Sequence, residues 1–304
     1  LRLSSSGSRL VSRKRRGERE LPVIDLNSRE LLALFEGMAA VRVVMDVGEV
    51  RVMPLASEVR RQRRIAAAWQ TLASGDALSM GSISHGGGIL SHAIHAGLYR
   101  EGLDARLRFA NEIRDELLEH ARDANDAWEP DTVSLSAPLQ ELVFDSRLMR
   151  TLPSVDILEA GLPCSGASVS GRAKRKLALP EDHPEVGHLV APFIAAIAIL
   201  NPLVVVLENV PQYENTASAA ILRHMLRDLG YEVCEYSLNG QDYGAIEDRT
   251  RYCLIGLTRG IQWVDLPAHP KHEPPALATV LEPLDANDPR WSSMAGLKAK
   301  EIRD

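Results

Sequence analysis

The sequence predicts an α/β fold: a mostly parallel sheet with helices on both faces, preceded by a small N-terminal hairpin and helix element. Three observations predict it. From residue 76 onward, short apolar runs of strand character alternate with helical segments, the pattern that builds βαβ units and a parallel sheet. "PLVVVLENV" (202–210) holds five apolar residues in succession, as a strand covered on both faces requires. The glycine-rich and reactive residues fall in loops after the strands, where open α/β sheets keep their ligands.

The elements follow in order. Residues 1–20 are basic and Ser-rich without an apolar pattern, so they read as a disordered tail. "SRELLALFEGM" (28–38) is a short helix. "VRVVMDVGEVRVMPL" (41–55) alternates apolar and polar residues around Asp46-Val47-Gly48, a hairpin signature. "SEVRRQRRIAAAWQTLA" (57–73) opens on Ser/Glu and continues in helix formers. Residues 21–75 are therefore expected as a small accessory element. A larger domain spans 76–262. Its strands are "ALSMGSI" (77–83), "LRFANEI" (107–113), "VDILEAG" (155–161), "PLVVVLENV", "YEVCEYSLN" (231–239) and "RYCLIGL" (251–257). Its helices are "ILSHAIHAGL" (89–98), "RDELLEHARDA" (114–124), "PFIAAIAIL" (192–200) and "AAILRHMLRDLG" (219–230). The Pro-rich stretch after 262 reads as a linker, 263–304.

Composition narrows the function classes. The 304 residues are 45% hydrophobic and 25% charged, ordinary for a globular protein. Aromatic content of 5% argues against an aromatic platform for stacking bases. The three cysteines, Cys164, Cys234 and Cys253, form no CxxC pair, so neither a disulfide framework nor a structural zinc is indicated, and a reducing cytoplasm fits. His92 and His95 lack a third ligand at usable spacing, so no metal is expected. No apolar stretch reaches the length of a membrane span. The net charge of −6 is uneven: residues 1–20 carry seven Lys/Arg against two Glu, leaving −11 for the remainder. Basic clusters recur at "RRQRR" (60–64), whose plainest reading is a solvated face, and at "RAKRK" (172–176), close behind Cys164.

Four places carry candidate chemistry. In "SISHGGGILSHAIHAG" (82–97), Gly86, Gly87 and Gly88 let the backbone approach a ligand and present N–H groups at a helix start. Glu112, at the end of the next strand, is placed to accept both ribose hydroxyls of an adenosine, or else to complement its own helix dipole. Pro163-Cys164 delivers a thiol to a strand end, where a thiolate is a nucleophile; the plainer alternative is a small buried hydrophobe. Glu208 closes the apolar strand beside Asn209, a costly position for a carboxylate unless it is used or paired. Arg249 and Arg251 alternate before the last strand as forks for phosphate or a base edge, with a salt bridge to Glu247 or Asp248 as the alternative.

Taken in this order, these motifs resemble the DNA (cytosine-5) methyltransferases. "EAGLPCSGAS" resembles that family's Pro-Cys nucleophile motif and "LENVPQY" its Glu-Asn-Val motif. "DYGAIEDRTRYCLIGL" resembles its Gln-x-Arg-x-Arg motif and "ISHGGGILSHAIHAG" its S-adenosylmethionine loop. The chain departs from the pattern at His85, where the first Gly of the loop is usual, at Ser165 for Gln, and at Glu247 for Gln.

The resemblance implies a Rossmann-like S-adenosylmethionine-dependent fold and methyl transfer to carbon 5 of cytosine in double-stranded DNA, the base flipped out of the helix. It implies Cys164, Glu208, Arg249 and Arg251 as catalytic residues. Ile83, Ser84, Gly86, Gly87, Gly88, Glu112, Ile113, Pro163 and Leu189 would line the cofactor. Ser165, Arg172, Lys174, Arg175 and Lys176 would meet DNA. A cytoplasmic monomer in a bacterial, phage or plasmid restriction-modification setting is expected. The family continues into a target-recognition part and a closing helix that 263–304 cannot hold, so the chain is expected to be a piece of a longer one, poorly active alone. Competing expectations are an inactive nucleic-acid-binding relative, a tRNA cytosine-5 methyltransferase, and a nucleotide-dependent oxidoreductase that would leave Cys164 and Glu208 unexplained.

Overall fold

The computed structural model describes residues 2–4, 11–24, 29–33, 35–38, 40–47, 49–168, 173–262, 273, 275–276 and 279–281. Compact units comprise residues 1–238 with 251–265 in one and 239–250 with 266–304 in the other. The larger holds a seven-stranded sheet. Its strands are β6 (Leu78–Ile83), β7 (Ala105–Glu112), β8 (Trp128–Ser136), β9 (Ile157–Ala160), β10 (Val204–Asn209), β11 (Tyr231–Asn239) and β12 (Thr250–Thr258), in the order β11-β12-β10-β9-β6-β7-β8. Strands β6 to β10 are mutually parallel, and β12 runs antiparallel to β10.

The strand order reverses between β6 and β9. From β6 the chain proceeds outward through β7 and β8, then returns to β9 on the other side of β6. The loops leaving these two neighbours therefore diverge and open a crevice at their carboxyl ends, the position at which doubly wound sheets bind ligands.

Alternation along the strands divides the core between two faces, with a register irregularity in β7 placing Leu107 and Phe109 on opposite ones. Phe109, Leu158, Val205, Leu207 and Leu254 belong to one cluster, Met80, Leu107, Ala110 and Ile157 to the other. Gly81 is required by this packing, because a Cβ there would lie 2.5 Å from the Phe109 ring. Helix α7 (Val190–Leu200), apolar all round as buried helices are, packs on the first face beside α5 (Leu139–Phe144) and α8 (Ala217–Asp228). Helices α3 (Ile89–Arg100) and α4 (Asp115–Ala124) pack against β7. Strand β8, α5 and α6 (Ser146–Thr151) lack a counterpart in the sequence reading. Strand β8 is an edge strand with Pro130 inside it and exposed polar residues on one side, which blurs the period-two pattern.

The hairpin expected at 41–55 is present as β4 (Val41–Asp46) and β5 (Glu49–Pro54), with β1 (Arg2–Ser4) paired to β5; α1 (Arg29–Ala33) precedes it. Two expectations need correction. Of the disordered tail expected at 1–20, residues 11–20 are ordered: β2 (Val11–Arg16) pairs antiparallel with β3 (Arg19–Ile24) about a turn in which Gly17 takes φ +61°. The "RRQRR" cluster is not a solvated face. Helix α2 (Ala56–Ser74) uses it to dock on the sheet domain. Arg64, 5% exposed, donates to Thr258 Oγ1 (2.8 Å), Asn201 Oδ1 (3.1 Å) and the carbonyls of Leu229 (3.0 Å) and Gly230 (2.9 Å), and lies 3.8 Å over the Tyr231 ring. Arg60 donates to the Ala198 carbonyl and Arg61 to that of Arg259. These carbonyls include the C-terminal ends of α7 and α8, where the helix dipole favours cations. No helix among the described residues is long and apolar enough to cross a membrane.

The smaller unit, in its described part, is a closed turn. Gly240 N–H donates to the Arg249 carbonyl (3.1 Å), and Asn239 caps the turn by accepting from Gln241 N–H (2.9 Å) and donating to Asp248 (2.6 Å). Most of 263–304, expected as a linker, lies outside the described residues.

Candidate active site

Three adjacent strands, β10, β9 and β6, end at the crevice, and each delivers a candidate group. Beyond β9 the chain runs through Gly161 and Leu162 to Pro163-Cys164. The Cys164 carbonyl accepts from Ala167 N–H and Ser168 N–H, both at 2.8 Å, which folds the chain into a turn directly behind the thiol. Asn209, 2% exposed at the end of β10, donates to the Leu162 carbonyl (3.0 Å) and accepts from Val210 N–H (2.9 Å). The Glu-Asn dipeptide thus has two tasks, and only the carboxylate's is visible in the sequence. Its Asn pins the approach to Cys164 while its Glu faces the crevice. Cys164 and Ser165 are both part-exposed, so the thiol is not the buried hydrophobe of the plainer alternative.

Glu208 is paired. Its Oε1 accepts from Arg251 Nε at 2.7 Å, with roughly a third of each side chain exposed (32% and 27%). Its Oε2 lies 4.0 Å from the point where a Cβ on Gly161 would sit, so glycine there keeps the space beside the carboxylate open. Cys253 stands opposite Glu208 in the antiparallel ladder. Burial, then the Glu208 charge, pushes the Cys253 thiol up to about 11, which leaves it protonated and inert near neutrality. Arg249 is exposed and forms an ion pair with Glu247 (3.6 Å), the alternative weighed for it above.

Beyond β6, Ser84 (φ +52°), Gly86 (φ +56°) and Gly88 (φ +77°) take left-handed backbone and turn the loop into α3. A Cβ on Gly86 or Gly87 would meet nothing within 4 Å, so open space lies over this part of the loop. Gly88 differs. It is buried, and a Cβ there would come 2.4 Å from Asn125 Nδ2 and 2.7 Å from His85 Nε2, so it serves close packing and is not ligand-facing.

His85 has a defined place where the family pattern has glycine. The Trp128 indole can only donate, so its 3.2 Å contact makes His85 Nε2 an acceptor and puts the ring proton on Nδ1, which donates to Ser82 Oγ (2.7 Å). Asn125 donates to the Gly88 carbonyl (2.8 Å). These buried partners brace the loop from below, and with single residues so far apart in the chain no local motif announces them.

Glu112 closes β7 and is 9% exposed. Its Oε2 accepts from Gly86 N–H (2.9 Å); its Oε1 accepts from Ile113 N–H (2.9 Å) and Arg114 N–H (3.2 Å). The alternative weighed for this residue is therefore present, because it complements the start of α4, and it also ties down the glycine loop. With about four acceptor positions on a carboxylate, three N–H donors leave room for about one ribose hydroxyl, not the pair expected. Ile113 is 64% exposed beside it, an apolar surface at a strand end. Ile83 is a correction: at 1% exposure it is sealed in the core and lines nothing. Pro163 and Leu189 line one small recess together with Tyr213. Open space above Gly86 and Gly87, the Glu112 carboxylate and the bare Ile113 surface fit an adenosine-type ligand such as S-adenosylmethionine.

Of the expected DNA contacts, Lys174, Arg175 and Lys176 are exposed, Arg175 being held by Glu185 at 3.3 Å; Arg172 lies outside the described residues.

A family model described as C-5 cytosine-specific DNA methylase matches residues 97–299. The chain belongs to this family. The match includes the Cys164 loop, the Glu208 strand end and both arginines, and begins downstream of the glycine loop. Among curated Type II methyltransferases, the chain is similar to Type II methyltransferase M1.HphI of Haemophilus parahaemolyticus, 31% identical over 170 residues, 54% of this chain and 44% of that protein. It is similar to M.BspRI of Lysinibacillus sphaericus, 28% identical over 160 residues, 50% and 36% of the two. The chain thus spans less than half the length of these curated relatives. A mutant of Spodoptera frugiperda DNMT2 shares the fold, with a TM-score of 0.53 at 18% identity over 69% of this chain and 61% of that one. Entamoeba histolytica EhMeth does so at 0.50 and 15%, with the same coverage.

Proposed function

We propose that this C-5 methylase transfers a methyl group from S-adenosylmethionine to carbon 5 of a cytosine in double-stranded DNA, through a covalent bond from Cys164 to carbon 6. One observation carries the proposal: the ends of three adjacent strands at the reversal of strand order present the Cys164 loop, the Glu208–Arg251 pair and the open glycine loop to one crevice.

Carbon 5 of cytosine is a weak nucleophile, and addition of the Cys164 thiolate at carbon 6 makes it an enamine-like one. Glu208 holds the N3 and amino edge of the base and favours protonation at N3 as charge builds in the ring. Arg251 keeps Glu208 Oε1 occupied, so Oε2, on the open Gly161 side, meets the base. S-Adenosylmethionine supplies an electrophilic methyl group when bound. Gly86, Gly87, Glu112 and Ile113 are the residues that would hold it, with Ser84 in the same loop and Pro163 and Leu189 lining a recess beside the Cys164 loop. A solvent base then takes the carbon-5 proton, N3 gives its proton back to Glu208, and the bond from carbon 6 to Cys164 Sγ breaks to restore the aromatic ring and the thiolate. The cytosine reaches this crevice only by leaving the duplex. Ser165, Arg172, Lys174, Arg175 and Lys176 contact DNA behind the thiol, and Arg249 supports the site after exchanging its Glu247 partner. Relatives named as Type II methyltransferases support a bacterial, phage or plasmid setting, and the enzyme acts as a cytoplasmic monomer.

The test is transfer of a tritium-labelled methyl group to matched DNA duplex and structured RNA, followed by digestion to nucleosides. Label in 5-methyldeoxycytidine is the expected result. Label in RNA alone assigns the tRNA reading, and label at no cytosine in either overturns the proposal.

A further inference from the structure

We infer that the β2–β3 hairpin is a second nucleic-acid contact, in which one cationic face binds the phosphate backbone of duplex DNA outside the catalytic crevice. The inference rests on the proposed DNA substrate and adds a surface to it. The hairpin's antiparallel register decides which side chains share a face. Lys14 pairs with Leu21 and Arg16 with Arg19, so Lys14, Arg16 and Arg19 project from one side of the ribbon. Arg13 and Arg15 project from the other, with Glu20 among them; Arg13 and Glu20 form an ion pair at 3.5 Å. The hairpin's remaining carboxylate, Glu18, sits in the turn beside Gly17. One face therefore carries three cations and no carboxylate of the hairpin, with Arg16 and Arg19 side by side on it. Residues 13–20 are all exposed.

Two further facts point to an anionic partner. Arg16 stands directly opposite Arg19 in the ladder, where like charges destabilise pairing unless an anion lies between them. The chain is −6 overall although residues 11–24 hold five cations against two carboxylates, so the hairpin is a local positive surface on an acidic protein. A two-stranded ribbon is also narrow enough for the DNA major groove, whose walls are phosphate-lined. Contacts of this kind are independent of base sequence and release counterions, so each adds nearly one unit to the salt dependence of binding.

The experiment measures affinity of the 304-residue chain for a duplex of A·T pairs, without cytosine, by fluorescence anisotropy across a potassium chloride series. The triple variant Lys14→Gln/Arg16→Gln/Arg19→Gln is expected to lower the slope of log affinity against log salt by about 2 to 3. The opposite-face variant Arg13→Gln/Arg15→Gln is expected to lower it by less than about 1. Equal loss per charge from both faces, which reports net charge alone, overturns the inference. So does an unchanged slope in the triple variant, absence of duplex binding by the parent chain, or a slope change seen with duplex RNA and not with DNA. Because this duplex offers no cytosine, these outcomes leave the methyl-transfer proposal standing, and that proposal fails only in the labelled-methyl assay.

Discussion

Glu208 and Cys253, neighbours across one ladder, show how position assigns chemistry to a side chain. Glu208 keeps Arg251 at 2.7 Å and an open flank at Gly161, whereas Cys253 is held protonated by burial and by Glu208 itself. Replacing Glu208 by Gln is expected to lower kcat for methyl transfer by about 10²–10⁴-fold, the range of a positioned acid or base, with the fold retained by circular dichroism. The pH dependence of stability has a definite sign. Cys253 is raised to about 11 by burial and Glu208; Tyr231 is raised to about 12 by burial, against the opposing pull of Arg64 and Arg60. A raised acid ionises first in the unfolded chain, so the stability it contributes is complete below about pH 9 and is lost as pH rises through 11 and 12. Urea titrations from pH 8 to 11 are expected to show a decline of no more than about 2–3 kcal/mol attributable to Cys253; Cys253→Ala removes that part. Glu112 gives a third residue-scale expectation. Its Ala variant weakens S-adenosylhomocysteine binding by about 1–3 kcal/mol in calorimetry, since Gly86 N–H loses its partner as well as the ligand.

Among the elements, those with strong periodicity were legible in advance. The buried strand β10, the apolar helix α7 and the β4–β5 hairpin stand where the sequence puts them, because burial on both faces or a tight turn leaves a local pattern. So were the strand ends carrying Cys164 and Glu208. What escaped was set by distant partners. Nothing near Arg64 indicates that its guanidinium will span carbonyls some 165 residues away at the end of α8, so a docking helix looked like a solvated one. The brace of Trp128, Asn125 and His85 beneath the glycine loop was hidden for the same reason, as was Asn209's grip on Leu162. Both are testable. Arg64→Ala is expected to cost on the order of 3 kcal/mol in chemical denaturation, as several charge-assisted hydrogen bonds are lost together. Gly88→Ala, which forces a left-handed φ and a 2.4 Å approach to Asn125 Nδ2, is expected to abolish S-adenosylhomocysteine binding while the sheet domain still unfolds cooperatively.

For the whole molecule, strand order converts separate motifs into one centre. The thiol, the carboxylate and the glycine loop come from chain positions far apart, and they meet because β10, β9 and β6 are neighbours at the reversal of the sheet. Charge at this scale opposes DNA: the protein is acidic, and exposed cations cluster locally in the β2–β3 hairpin and at 174–176. Cys164 is the proposed nucleophile of this centre. This role is tested most directly with a DNA duplex containing 5-fluorocytosine and S-adenosylmethionine, followed by denaturing electrophoresis and peptide mass mapping. Fluorine at carbon 5 cannot leave as a cation, so the final elimination stops and the protein stays bonded to carbon 6 of the base. A denaturation-resistant adduct is expected on the peptide containing Cys164, absent in Cys164→Ser and retained in Cys253→Ser. An adduct that persists in Cys164→Ser, or that maps to Cys234 or Cys253, would contradict that role.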